Sequence, residues 1–235
     1  MTLFFPLTEG IKAENNLEKT SPEQFFVYIY SVMYSQQYRS RYSDSIRIDF
    51  PRIPLPGGPE IFHALVPLGE QLVALHLMES PLLDTPNTRT VGSNWTVSKV
   101  GYADGTVWID GKGTKTAYLR GTTGFAGVPE EVWNFHIGGY QVCEKWLKDR
   151  KGRVLSAEDI THYQKIVVAL QQTIRLMAEI DVVIDAHGGW PGAFASGVET
   201  SSEPVKAQFG QTTSSGTPKR RAAEESLPLN FADDE

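Results

Sequence analysis

The sequence predicts an α+β fold: a helical scaffold with a small antiparallel β-sheet and hairpin inserted into it, followed by a disordered C-terminal tail. Three observations carry this expectation. Capping signals and apolar residues at helical spacing mark helices near residues 21–35, 60–80 and 156–177. Residues 91–127 instead alternate Thr, Val, Trp and Tyr between glycine turns, as strands do. Beyond Phe194 the chain is poor in apolar residues and rich in Ser, Thr, Gly and Glu, a composition that cannot bury enough surface to order itself.

The first helix is announced by "SPEQFFVYIYSVMYS", where Ser21 is a cap, Pro22 suits the first helical position and Gln24 completes a capping box. Its apolar and aromatic residues occupy almost every face, so it is expected to be buried. "QQYRSRYSDSIRI" reads as a polar turn, and the prolines of "DFPRIPLPGGP" impose an extended course. "EIFHALVPLGEQLVALHLMES" has helical spacing at Leu65, Leu68, Leu72, Leu75 and Leu77, with Pro67 and Gly69 as irregularities, and stops at "SPLLDTPN".

Within the β region, "TVWIDGKGTKTAYLR" predicts two strands around Asp110-Gly111, a common hairpin dipeptide. "GVPEEVW" then starts a helix with Pro129 in its first turn and two glutamates suited to its positive end. Gly138-Gly139 is expected to break it, with a second helix from Tyr140 to Lys151 ended by Gly152. Ser156 and Asp159 cap a last helix whose Ile160, Tyr163, Val167, Leu170, Ile174 and Met177 recur every three or four residues up to "HGGWPG". The expected organisation is residues 1–57 as a helix and proline-rich linker, 58–194 as the main domain, and 195–235 as tail.

The net charge of -6 argues at first against a polyanionic partner, but its distribution argues otherwise. Residues 89–153 hold ten basic against six acidic side chains, whereas residues 58–88 hold none against four. Five cations, Lys145, Lys148, Arg150, Lys151 and Arg153, fall within nine residues. No apolar run is long enough to span a bilayer, and the N-terminus lacks the basic lead-in of a secretory signal. A single cysteine, Cys143, can form neither an internal disulfide nor a usual zinc site. A cytoplasmic location follows as the expectation, in which the Asn94 glycosylation sequon is idle.

Catalytic patterns are wanting. "IDGKGTKT" lacks the first glycine of a phosphate-binding loop, the position being Thr106, and completes no dinucleotide fingerprint. There is no G-x-S-x-G elbow, and histidines 63, 76, 136, 162 and 187 have no metal-binding spacing. Neither a catalytic nor a metal-ligating residue is assigned. One weak alternative is a metal-dependent nuclease, with Asp110 and Lys112 as an acidic-x-Lys pair and Asp84 as the distant carboxylate.

The basic run admits two readings. As a solvated helix face, it places cations at the negative end of a helix and pairs Glu144 with Lys148 at i,i+4, effects of about 0.3–1 kcal/mol each. As a polyanion surface, the same cations grip phosphates. The hairpin adds Lys112 and Lys115 beside its turn and Thr114, Thr116, Tyr118 and Arg120 on one face, side chains able to read base edges or hold phosphates in a duplex groove. Ordinary sheet surface is the alternative there, and a protein-docking module that never touches DNA is the alternative for the whole chain.

Four passages bring a family into view: "YIYSVMYSQQYRSRYSDSIRIDFPRIPLP", "WIDGKGTKTAYLRGTTGFAGVPEEVWNFHIGGYQVCEKWLKDRKGRVLS", "YQKIVVALQQTIRLMAEID" and "HGGWPGAF". Together, over about residues 21–194, they resemble the C-terminal specificity region of type ISP restriction-modification enzymes. The "YRSRY…DFPRIPLP" passage is similar also to the junction before the recognition domain of type IIG enzymes. In such enzymes a nuclease, an ATP-driven translocase and an adenine-N6 methyltransferase share one polypeptide with this target-recognition domain. The Asn-Pro-Pro-Tyr signature that grips a flipped adenine does not occur in this chain.

The resemblance therefore implies recognition of double-stranded DNA for chemistry done elsewhere. S-adenosylmethionine, ATP and Mg are expected for the other domains and no cofactor for this one, with a methyltransferase domain as partner in cis or in trans and no membrane. The chain opens where the family's methyltransferase would finish, which suggests a fragment or a truncated gene product, and the extension after "HGGWPGAF" departs from the pattern. On this basis Lys145, Lys148, Arg150, Lys151 and Arg153 are expected to hold phosphates. Lys115, Thr116, Arg120, Asn134 and Gln141 are expected to read bases, with Lys112 beside them.

Overall fold

A computed structural model describes residues 20–48, 51–112 and 120–194, all within one compact unit. The expected tail lies outside the described residues. Ser21 makes the anticipated capping box, its Oγ accepting from the Gln24 amide at 3.3 Å while its own amide donates to Gln24 Oε1 at 3.1 Å. Helix α1 runs Pro22–Tyr34 and buries Phe25, Val27, Tyr28 and Val32. Phe26 remains 56% exposed, so burial is confined to one side of the helix rather than all round.

"QQYRSRYSDSIRI" is not a turn but two short helices, α2 Gln36–Arg41 and α3 Ser43–Ile48. Ser35 caps the first of them locally, its Oγ accepting from the Tyr38 amide at 3.0 Å, and a second cap comes from far along the chain. The Asp181 carboxylate accepts from the amides of Gln36 at 3.1 Å and Gln37 at 3.3 Å and from Ser35 Oγ at 2.5 Å. It thereby satisfies donors that the start of a helix leaves unpaired. Residues 51–55 of the proline-rich segment form neither helix nor strand, and buried tyrosines hold two of its carbonyls: Tyr28 donates to Pro54 at 2.8 Å and Tyr38 to Arg52 at 3.0 Å.

Helix α4, Pro59–His76, passes Pro67 and Gly69 without interruption. Gly69 marks its crossing with α1, because a Cβ there would overlap the Val27 carbonyl. Leu77 does not extend the apolar face; it caps the helix and is exposed. A first core joins Phe25, Tyr28, Phe62, Leu65 and Leu72 to Leu176, Ile180 and Ile184 of the last helix. Each such side chain contributes about 1.5–3 kcal/mol through removal from water.

Strands β1 Arg89–Val91, β2 Gly101–Ala103, β3 Thr106–Trp108 and β4 Gly124–Ala126 form an antiparallel sheet in the order β1-β4-β3-β2. The tight turn is not at Asp110-Gly111. It lies at Asp104-Gly105, where Ala103 pairs with Thr106 and both turn residues have positive φ, 51° and 70°. That handedness matches the twist of the flanking strands, and the first Asp-Gly of the region supplies it. Asp110 instead bridges Lys99 in parallel fashion.

Pro129 precedes a single helical turn, α5 Glu130–Trp133, that ends well before the double glycine. Gly138-Gly139 turns a small hairpin, β5 His136–Ile137 with β6 Tyr140–Gln141, rather than breaking a helix. Helix α6 accordingly starts at Val142 and ends at Lys148, shorter than the expected Tyr140–Lys151, since Tyr140 is held in the ladder opposite Ile137. Helix α7, Ala157–Ala186, has the Ser156–Asp159 capping box and is about 45 Å long. Its first half packs Tyr163 and Val167 against Val107, Ile109, Phe125, Val132, Cys143 and Leu147, a second core beneath the sheet. One rigid rod thus serves both cores.

Candidate nucleic-acid interface

The basic run sits on α6 and the turns that follow it, and backbone hydrogen bonds fasten it to the sheet side of the molecule. Gly152 donates to Val97 at 2.7 Å, Val97 to Arg153 at 2.9 Å and Leu155 to Trp95 at 3.0 Å. The same segment continues to Lys99, where Gly111 donates to Lys99 at 2.8 Å, and Lys112 donates in turn to Arg120 at 2.9 Å. A succession of backbone bonds and isolated bridges, the ladder of this surface, therefore links Arg153, two residues beyond Lys151, to the neck carrying Lys112 and Arg120. Lys99, exposed on the ladder, was not anticipated, because an isolated lysine carries no pattern.

The cations differ in what they already touch. Lys145 Nζ lies 2.5 Å from Asp149 and 5.7 Å from the centroid of the Tyr140 ring. Lys148 lies 2.9 Å from Glu144, the i,i+4 pair read from the sequence. Arg150 is more deeply committed: its guanidinium stacks 3.5 Å over Trp146, donates to the Trp146 carbonyl at 3.1 Å and sits 3.5 Å from Asp159. Lys151 and Arg153 are exposed and have no ion pair among the described residues. Half-exposed pairs of the Lys145 and Lys148 kind are worth about 0–1 kcal/mol, so an incoming phosphate can replace the carboxylate at small cost. Arg150 is a structural residue first.

The hairpin group is divided. Lys115 and Thr116, like Thr114 and Tyr118, lie outside the described residues. Lys112 and Arg120 are exposed at the neck, where they pair backbone to backbone, and Arg120 also lies 2.5 Å from Asp104 at the tip of the neighbouring turn. Asn134 is exposed at the end of α5, whereas the Gln141 amide donates to the Trp133 carbonyl and ties the small hairpin to that helix. The two exposed apolar residues of that hairpin, Ile137 and Tyr140, carry no signal in the sequence, because a double glycine serves equally as a helix stop and as a two-residue hairpin turn.

The carboxylates of the nuclease alternative are held by protein groups. Asp110 accepts from the amides of Thr122 and Thr123, each at 2.9 Å, and from Thr122 Oγ1 at 2.5 Å. Partial burial pushes its carboxyl up, but the bonds from Thr122 and Thr123 outweigh it and hold the group below the ordinary carboxylate range. Asp84 pairs with Lys165 at 2.9 Å. Among the described residues no group of three or more His, Cys, Asp or Glu is placed to hold a metal ion. Cys143 is enclosed beneath α6, and burial pushes its thiol up to about 12 despite the opposing hydrogen bond with Tyr163.

Fold and patch together define a module that presents charged and aromatic side chains from a rigid helical scaffold. Its family is plain: the Type ISP C-terminal specificity domain matches residues 6–179, and the chain belongs to that family. Two solved structures share the fold. The cryoEM structure of a DrdV-DNA complex gives a TM-score of 0.57 at 20% identity, covering 74% of this chain and 19% of that one. The ATP-dependent Type ISP restriction-modification enzyme LlaBIII bound to DNA gives 0.51 at 16% identity, covering 70% and 12%. This chain thus spans a fifth or less of the length of those proteins. No curated protein matches it.

Proposed function

We propose that the chain recognises double-stranded DNA on behalf of active sites carried elsewhere in a restriction-modification enzyme. It would hold a short target so that an adenine-N6 methyltransferase domain, joined through residues 1–57 or supplied in trans, can flip and modify a base. S-adenosylmethionine, ATP and Mg belong on this reading to the domains that perform the chemistry, and none to this chain. Among the described residues no helix is long and apolar enough to cross a membrane, and the site of action we assign is the cytoplasm, where such chemistry meets DNA. Membership of the specificity-domain family is the observation that carries the proposal. The backbone bonds joining Arg153 to the neck of Lys112 and Arg120 support it.

A docking module without DNA contact is the second reading, favoured by the carboxylates already seated on Lys145, Lys148 and Arg150. Salt separates the two. Binding of a fluorescent duplex should weaken steeply and linearly on logarithmic axes as salt rises, because phosphate contacts release counterions. The same titration with a methyltransferase domain of the family added should gain affinity and sequence preference. A chain that ignores duplex at low salt, yet holds its protein partner at high salt, is a docking module.

A further inference from the structure

We propose that the β5–β6 hairpin is a wedge whose Ile137 and Tyr140 press between or against bases of the bound duplex, an inference that rests on the DNA reading above. The hairpin has two sides with different fates. Antiparallel pairing sets His136 opposite Gln141 and Ile137 opposite Tyr140, so the first pair faces one way and the second the other. The first side is tied to the body through Gln141, which donates to the Trp133 carbonyl, while the exposed His136 makes only a local bond from Nδ1 to the Asn134 carbonyl at 2.6 Å. That leaves Ile137 and Tyr140 on the outer side, 43% and 63% exposed.

Two large apolar residues side by side in water call for an occupant, and charge indicates which. Residues 132–143 contain no acidic side chain, and Lys145 reaches back over the Tyr140 ring. Lys148 follows one turn later. Both lysines hold exposed or partly exposed i,i+4 carboxylates, Asp149 and Glu144, that a phosphate can replace. An apolar tip beside such a cation suits a polyanion with flat apolar surfaces inside it, which is a base-paired duplex; proteins that kink DNA insert Phe, Leu, Ile or Met in this way. The tip is also thin enough to enter. A Cβ on Gly138 or Gly139 would meet nothing, so the turn stands clear of the body.

The test uses the whole chain and a short duplex bearing 2-aminopurine at a flexible pyrimidine–purine step, whose fluorescence rises when the base unstacks. Wild type should bind with a steep salt dependence and raise the fluorescence. Tyr140→Ala should keep the salt slope, lose affinity by about tenfold, the scale of one aromatic–base stack, and abolish the rise. Tyr140→Phe should restore both, and an unchanged circular dichroism spectrum shows that the exposed substitution leaves the fold intact. Duplex binding with a normal slope but no dependence on Tyr140 overturns the wedge and leaves DNA recognition standing. So does lost affinity with an undiminished fluorescence rise, which makes Tyr140 a backbone contact. A wild-type chain that binds no duplex at low salt overturns both.

Discussion

Replacing Lys151 and Arg150 in turn, each by alanine, separates the part of the basic run proposed to meet phosphate from the part that holds the protein together. Lys151 is exposed and has no ion pair among the described residues, so its removal leaves the fold alone and deletes one phosphate contact. The slope of log K against log salt should then flatten by about 0.9, equally for every duplex. Arg150 stacks on Trp146, donates to its carbonyl and faces Asp159. Those contacts sum to about 1–3 kcal/mol after allowance for partial solvent access. Arg150→Ala should therefore lower Tm by about 2–4 °C for each kcal/mol while changing the slope much less than Lys151→Ala does. Salt-titrated anisotropy and a thermal melt on each variant decide it. A flattened slope with unchanged Tm for Arg150→Ala, or an unchanged slope for Lys151→Ala, refutes the division.

Glu144→Gln removes the carboxylate 2.9 Å from Lys148 and should strengthen duplex binding and steepen the salt slope, read in the same titration. Gly69→Ala forces a methyl group into the Val27 carbonyl and must push α1 from α4, costing about 1–3 kcal/mol or more on a denaturant curve. Asp110→Asn tests the neck of the Lys112–Arg120 loop. Because the folded carboxyl is held below the unfolded value of about 3.9, its stabilisation is present above that pH and lost as pH falls through the lower folded value. The variant should be less stable than wild type by about 1 kcal/mol at neutral pH, with the difference beginning to shrink below about pH 3.9 and disappearing only once pH has passed below the lower folded value. Cys143 should resist a disulfide reagent in the native chain and react once the chain is unfolded, because burial suppresses its thiolate.

The scaffold was legible wherever a local rule decides the local structure. Ser21 with Gln24 and Ser156 with Asp159 are capping boxes in the sequence and in the structure, since each closes over three residues. Elements stabilised from a distance were not legible. Gln36–Arg41 has a local cap in Ser35, but Asp181 completes that cap from the far helix, and Gly69 reads as a weakness until Val27 is seen against it. The two Asp-Gly pairs are alike as dipeptides. Only Asp104-Gly105 has strands of equal reach on both sides, and Asp110 is drawn instead to the Thr122 and Thr123 amides.

The site shows a different limit. A sequence reports how many cations lie in a stretch, and local spacing even reports that Glu144 faces Lys148, but the binding strength of a cation depends on what it must release first. Lys148 gives up one half-exposed carboxylate, Lys151 releases only counterions and water, and Arg150 gives up an aromatic stack, a carbonyl and a partly buried carboxylate. Five positive charges of equal standing in the sequence thus become a graded series once α7 brings Asp159 up to Arg150 and the chain from Gly152 to Leu155 is pinned to residues 95–97. A patch so graded would meet duplex DNA first through Lys151 and Arg153 and engage Lys148 and Lys145 only where the fit repays the lost ion pairs. On the proposed function, that ordering would make the paired lysines sensitive to the shape of a bound duplex, while the unpaired ones would grip any phosphate.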